Sequence, residues 1–149
     1  MIENKSNIAL LLGDPAGIGP ELISKLLNDE MTKKANIVII GEKQVFESGN
    51  SITGISHNID VVENFDEVNF DKSNRFLLDI SKGKNHKYKL AEPSKESGES
   101  VLQALDLALT LAKGCISLNL TLVFPKAIDT AWPVVQVKVW LPSAGKDIM

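Results

Sequence analysis

The chain has 149 residues, 44% of them hydrophobic and 23% charged, enough for one core and ordinary for a soluble globular protein. Its net charge of −3, with lysines and acids interspersed, offers no basic face for DNA or RNA, and no segment approaches the roughly 18 apolar residues of a membrane helix. A single cysteine, Cys115, excludes an internal disulfide and a CxxC metal pattern, and with no secretory signal in view the expected address is the cytoplasm.

Asn7 to Leu12 is short, apolar and unalternating, which predicts a buried strand. Pro20 to about Met31 reads as a helix. Proline suits its first turn, Glu21 favours the positive end of its dipole, and Leu22, Leu26, Ile23 and Leu27 supply an i, i+4 stripe. Ala35 to Gly41 is a second buried strand, β-branched and closed by glycine. Strand, helix and strand in this order form a βαβ unit with a parallel pair. Lys43 to Ser48 is a candidate short helix, and Ile59–Val62 and Arg75–Ile80 are candidate strands. Lys82 to Lys95 is polar and reads as a loop. From Ser97 to Lys113 the best helix in the chain aligns Val101, Leu102, Leu105, Ala108, Leu109 and Ala112, with cap candidates at Ser94–Gly98 and Gly114 as its stop. Cys115 to Phe124 follows as an apolar strand. The class is α/β, a mostly parallel sheet with flanking helices.

The connection Gly13–Pro20 lies after a strand and before a helix, where open α/β sheets collect ligands. Gly17 and Gly19 would permit positive φ and close approach, and the helix start suits an anion such as a phosphate. Asp14 and Glu21 either line that pocket or serve as cap and dipole partners. GxGxxG fails at Leu22, and the Walker pattern fails for want of Lys-Ser/Thr. From the residues alone, a binding loop and a plain strand-to-helix turn both stand.

The string GDPAGIGPEL, Gly13 to Leu22, resembles the opening signature of the 4-hydroxythreonine-4-phosphate dehydrogenase family. More loosely it is similar to the corresponding loop of isopropylmalate and isocitrate dehydrogenases, which share the fold. Pro93 to Gly114 looks like that family's segment in which a Ser- and Gly-containing cap opens a helix. The resemblance covers residues 1–114 and implies an isopropylmalate dehydrogenase-like fold. It also implies NAD-dependent oxidation, with decarboxylation, of 4-phosphohydroxy-L-threonine or a related four-carbon hydroxy-acid phosphate in vitamin B6 biosynthesis. A divalent metal (Zn, Mg or Co) would assist as Lewis acid, the enzyme would be a homodimer, and Asp14, Gly17, Gly19 and Glu21 would line the cofactor pocket.

Beyond Gly114 the resemblance stops. The family's Gly-Pro…Lys loop and His-Thr-Glu segment are missing, and no histidine follows residue 115. The metal ligands implied by the family thus have no counterpart, and no catalytic residue is assigned. Only Lys126, Asp129, Lys138, Lys146 and Asp147 carry charge there, and both tryptophans, Trp132 and Trp140, fall in this tail. Val135, Val137, Val139 and Leu141 alternate as in a strand. Residues 115–149 are therefore expected to be a divergent tail, either out of frame, which the abrupt break favours, or truly diverged. The chain itself is expected to be an inactive, truncated fragment. The alternatives are a stand-alone nucleotide- or phosphate-binding α/β module and a product that folds poorly. His57 and His86 read as solvated loop histidines, Cys115 as buried and inert, and Lys82, Lys84, Lys87 and Lys89 as a solvated basic run.

Overall fold

A computed structural model describes residues 5–114 and 118–121. Five strands form one sheet in the order β3-β4-β2-β1-β5: β1 Ser6–Leu11, β2 Ala35–Gly41, β3 Asp60–Val62, β4 Arg75–Asp79 and β5 Leu118–Thr121. Every pairing is parallel. β1 meets β2 from Ser6↔Ala35 to Leu11↔Ile40, and β5 meets β1 from Asn7↔Leu118 to Leu10↔Thr121. The expected α/β sheet is present. The tail strand expected at 115–124 falls partly outside the described residues, as does Cys115.

β2 lies between two neighbours and under helices on both faces. This is why its apolar run does not alternate: Ile37, Val38, Ile39 and Ile40 are all buried. One face carries α1 (Gly19–Leu27) and α2 (Lys43–Thr53), packed over Leu10, Leu12, Ile37, Ile39 and Leu77. The other carries α3 (Lys95–Gly114) and the apolar side chains of 65–70, over Ala9, Leu11, Val38, Ile40, Phe76 and Leu78. No helix among the described residues is long and apolar enough to cross a membrane.

The faces of two helices differ from the sequence expectation. In α1, Ile23, Ser24 and Leu27 are buried, while Leu26 is exposed and a short 3-10 turn, Glu30–Lys34, replaces the expected last turn. In α3 the buried seam is Ser97, Ser100, Ala104, Ala108 and Ala112; Leu102 is 66% exposed and Leu109 lies at the surface. Small residues let this helix sit close against the sheet, with Leu105, Leu107 and Leu111 packed at the sides of the seam. Its start is a reciprocal cap: Ser94 Oγ accepts from the Ser97 amide at 3.0 Å, and Ser97 Oγ accepts from the Ser94 amide at 3.2 Å.

α1 and α2 are locked together at two points. A Cβ on Gly49 would stand 2.6 Å from the backbone carbonyl of Pro20, so glycine there permits the contact. A turn further along, buried Ser24 Oγ bonds Thr53 Oγ1 at 2.8 Å, and His57 Nε2 donates to the Ser24 carbonyl at 2.8 Å. His57 also tilts against Phe46. It is a half-buried strut rather than the solvated histidine expected.

Candidate functional site

The opening loop lies at the carboxyl end of β1, as the sequence order requires. Leu12 extends the ladder by one bond, its amide donating to the Ile40 carbonyl at 3.1 Å. The chain then turns at Gly13, whose φ is +78°. Asp14 organises the next three residues: Oδ1 accepts from the Ala16 amide at 2.9 Å, and its carbonyl accepts from the Gly17 amide at 2.9 Å. An Asx turn inside a β-turn is a local use of this side chain. Ile18 occupies the N-cap of α1 with no side-chain hydrogen bond to the helix, Gly19 and Pro20 form its buried first turn, and Glu21 stands in that turn half-buried.

The positive φ expected of Gly17 and Gly19 belongs to Gly13 instead; neither of the other two is left-handed. A Cβ on Gly17 would meet only Asp14 atoms at 3.4 Å, which is ordinary contact. Gly13→Ala is therefore expected to cost about 1 kcal/mol or more, because alanine is strained at its φ, whereas Gly17→Ala should stay within about 0.5 kcal/mol of the parent. Urea unfolding of the two variants side by side checks this, and equal losses would refute it.

A second cluster sits beside the loop, at the carboxyl end of β2, and the sequence reading missed it. Glu42 is only 3% exposed. Its carboxylate accepts from Ser100 Oγ at 2.8 Å, from Gln44 Nε2 at 2.9 Å and from the Tyr88 hydroxyl; His86 Nδ1 stands 3.4 Å away. Burial alone would raise the Glu42 pKa, but the donors from Tyr88, Ser100, Gln44 and His86 together hold it below its ordinary value. Burial, the hydrogen bond to Glu42 and the Glu42 charge push the Tyr88 phenol well above its usual range. Carboxylate, phenol, imidazole and hydroxyl together look like an acid–base set. With the carboxylate enclosed and its oxygens occupied by donors, the arrangement is a latch. It ties α3 and the 82–94 segment to β2.

The same segment reaches the opening loop, where the Ala91 amide donates to the Ala16 carbonyl at 2.8 Å. Ala91 holds φ +61°, an uncommon value for alanine. His86 and Tyr88 are thus half-buried partners of Glu42, while Lys82, Lys84, Lys87 and Lys89 are exposed as expected. At the end of β4, Asp79 Oδ1 accepts from the Lys43 amide at 3.1 Å and the Ser81 amide at 3.0 Å, so it caps α2 from a neighbouring strand. Asp14, Glu42 and Asp79 therefore line one rim of the sheet, each engaged in fixing a loop.

Among the described residues, no group of three or more His, Cys, Asp and Glu side chains is placed to hold a metal ion. His57 and His86 lie in different contacts, one on α1 and the other on Glu42. The described residues do not fit a divalent metal.

The chain is similar to known proteins over about three quarters of its length. No family model matches the chain. A Pasteurella multocida (strain Pm70) protein provisionally named a 4-hydroxythreonine-4-phosphate dehydrogenase is 36% identical over 118 residues, 73% of this chain and 33% of that protein. A Clostridium botulinum (strain Hall) protein provisionally named a D-threonate 4-phosphate dehydrogenase is 28% identical, over 76% of this chain and 34% of its own length. The chain spans about a third of the length of these curated relatives. A crystal structure of a 4-hydroxythreonine-4-phosphate dehydrogenase from Burkholderia phymatum superposes with a TM-score of 0.65 at 22% identity, covering 74% of this chain and 33% of that one, which establishes the shared fold.

Proposed function

From its kinship with the 4-hydroxythreonine-4-phosphate dehydrogenases, we propose that the chain corresponds to the N-terminal third of an NAD-dependent, metal-assisted oxidoreductase. The substrate would be 4-phosphohydroxy-L-threonine or a related four-carbon hydroxy-acid phosphate, oxidised and decarboxylated in vitamin B6 biosynthesis. The observation that carries the reading is the Gly13–Leu22 loop, held at the carboxyl rim of a parallel sheet and opening α1 with no side-chain cap. Relatives named as dehydrogenases support the general class.

In this reading the roles of the four loop residues divide. Asp14 shapes the turn, and Gly17, Gly19 and Glu21, in or beside the first turn of α1, would line the cofactor pocket with it. The pocket would hold NAD, which would supply the hydride acceptor of the oxidation. The described residues offer the assisting metal no ligand set, so its ligands, and the partner half of a homodimer, must come from elsewhere in the intact enzyme. The chain by itself is proposed to be inactive and cytoplasmic. The alternative, a nucleotide- or phosphate-binding module without catalysis, rests on the same loop.

Two measurements test the reading. Purified chain with NAD, a divalent cation and 4-phosphohydroxy-L-threonine is expected to show no rise in NADH absorbance; turnover abolished by a chelator would overturn the inactive-fragment reading. Translation of the coding sequence past the Gly114 codon in the other two frames is expected to recover a Gly-Pro…Lys loop followed by His-Thr-Glu. Its absence from both frames would overturn the frame disruption and leave the binding module.

A further inference from the structure

The rim opposite the opening loop has the reverse charge. Parallel pairing brings the amino ends of β4, β2 and β1 side by side, and each begins at a cation: Arg75 is the first residue of β4, Lys33 precedes β2 and Lys5 precedes β1. Lys72 joins them in an open cleft of about 560 Å³. Four cations face it and one carboxylate, Asp71. This is unexpected in a chain whose net charge is −3.

Arg75 is the chain's one arginine, and it is half-buried. Its Nη2 donates to Thr32 Oγ1 at 2.8 Å, which tethers one arm of the guanidinium. Among the described residues Arg75, Lys72 and Lys5 form no ion pair; Lys33 pairs with Glu30. The neighbouring backbone is pinned, since Asn74 Nδ2 bonds the Lys33 and Ala35 carbonyls at 3.4 and 3.3 Å. Its partner is a hydroxyl and not a carboxylate, so the Arg75 charge is left uncompensated among the described residues. Here a tethered fork keeps most of its donors for something else, with two lysines at hand. The fork geometry matches the oxygens of a phosphate.

We propose that this cleft binds a small phosphate-type polyanion, at a site separate from the opening loop. Asn58 at its wall is a further donor to such a ligand. The test is calorimetric titration of the whole chain with inorganic pyrophosphate at low salt. One saturable site is expected, weakening as salt is added. Arg75→Gln should weaken it about tenfold or more, since a charge-assisted pair is lost. Lys72→Gln, at an exposed position where folding is not at stake, should weaken it severalfold. Gly13→Ala, on the opposite rim, should leave it unchanged. Absence of saturable binding overturns the proposal, as does equal affinity in the parent and Lys72→Gln. A loss with Gly13→Ala matching that with Arg75→Gln places the anion at the loop and also overturns it. Citrate binding as tightly as pyrophosphate would overturn the phosphate class.

Discussion

Replacing Glu42 by alanine is expected to lower the unfolding free energy by about 3 kcal/mol, because it leaves buried donors without an acceptor and opens a small void. Ser100 is 8% exposed and would lose the carboxylate it donates to; Tyr88 is half-buried and would lose the same acceptor. The loss should be regional as well as global. With the latch gone, the 82–94 segment loses its anchor, and trypsin should cut faster after Lys84, Lys87 and Lys89. Acid provides an independent arm. Glu42 has a lowered pKa when folded, so its contribution is present above the ordinary glutamate value, about 4.3, and is lost as pH falls through the lower folded value. Glu42→Gln should therefore flatten the acid limb of the stability–pH curve. An unchanged limb, together with an alanine variant within about 0.5 kcal/mol of the parent, would refute the latch.

Why this latch escaped the sequence is a matter of distance along the chain. Glu42 meets Tyr88 and Ser100 across separations of 46 and 58 residues, and none of the three stands in a spacing that marks a site. The only local hint is an acid directly after a buried strand. Elements whose cause is local were legible. β2 is bounded as its β-branched run and closing glycine dictate, and Pro20 and Glu21 mark the start of α1. The α3 segment was legible as a helix but not by face, since a search for large apolar residues favours Leu102 and Leu109 over the Ser97–Ala112 seam. The loop was located by its glycines, yet the backbone work is done by Gly13, and close approach occurs at Gly41 and Gly49. A glycine's role depends on which neighbour the fold brings to it, and those neighbours come from other elements.

Gly41 is the position where this matters most, and Gly41→Ala is expected to cost about 3 kcal/mol, at the upper end of overpacking changes. A Cβ there would lie 2.3 Å from Leu12 Cδ1, 2.7 Å from Cγ and 2.8 Å from Cβ. A rotamer change could move Cδ1 but not Cβ, so the backbone of one strand must shift. That shift is resisted on both sides. The Leu12 amide bonds the Ile40 carbonyl at 3.1 Å, and the Ile80 amide bonds the Gly41 carbonyl at 3.2 Å. Leu12 is itself buried in the cluster beneath α1 and α2. Any displacement of Leu12 passes directly to Gly13 and the loop that opens α1, so the variant should disturb the Gly13–Pro20 amide resonances as well as the unfolding midpoint. A double-mutant cycle isolates the cause. Leu12→Ala alone should cost about 2–3 kcal/mol as a cavity, but combined with Gly41→Ala the total should fall short of the sum by about 1 kcal/mol or more, since the two shorter contacts, to Cγ and Cδ1, are gone and only the one to Cβ remains. Additive losses would show that the close approach of Gly41 to Leu12 is not what glycine provides at the end of β2.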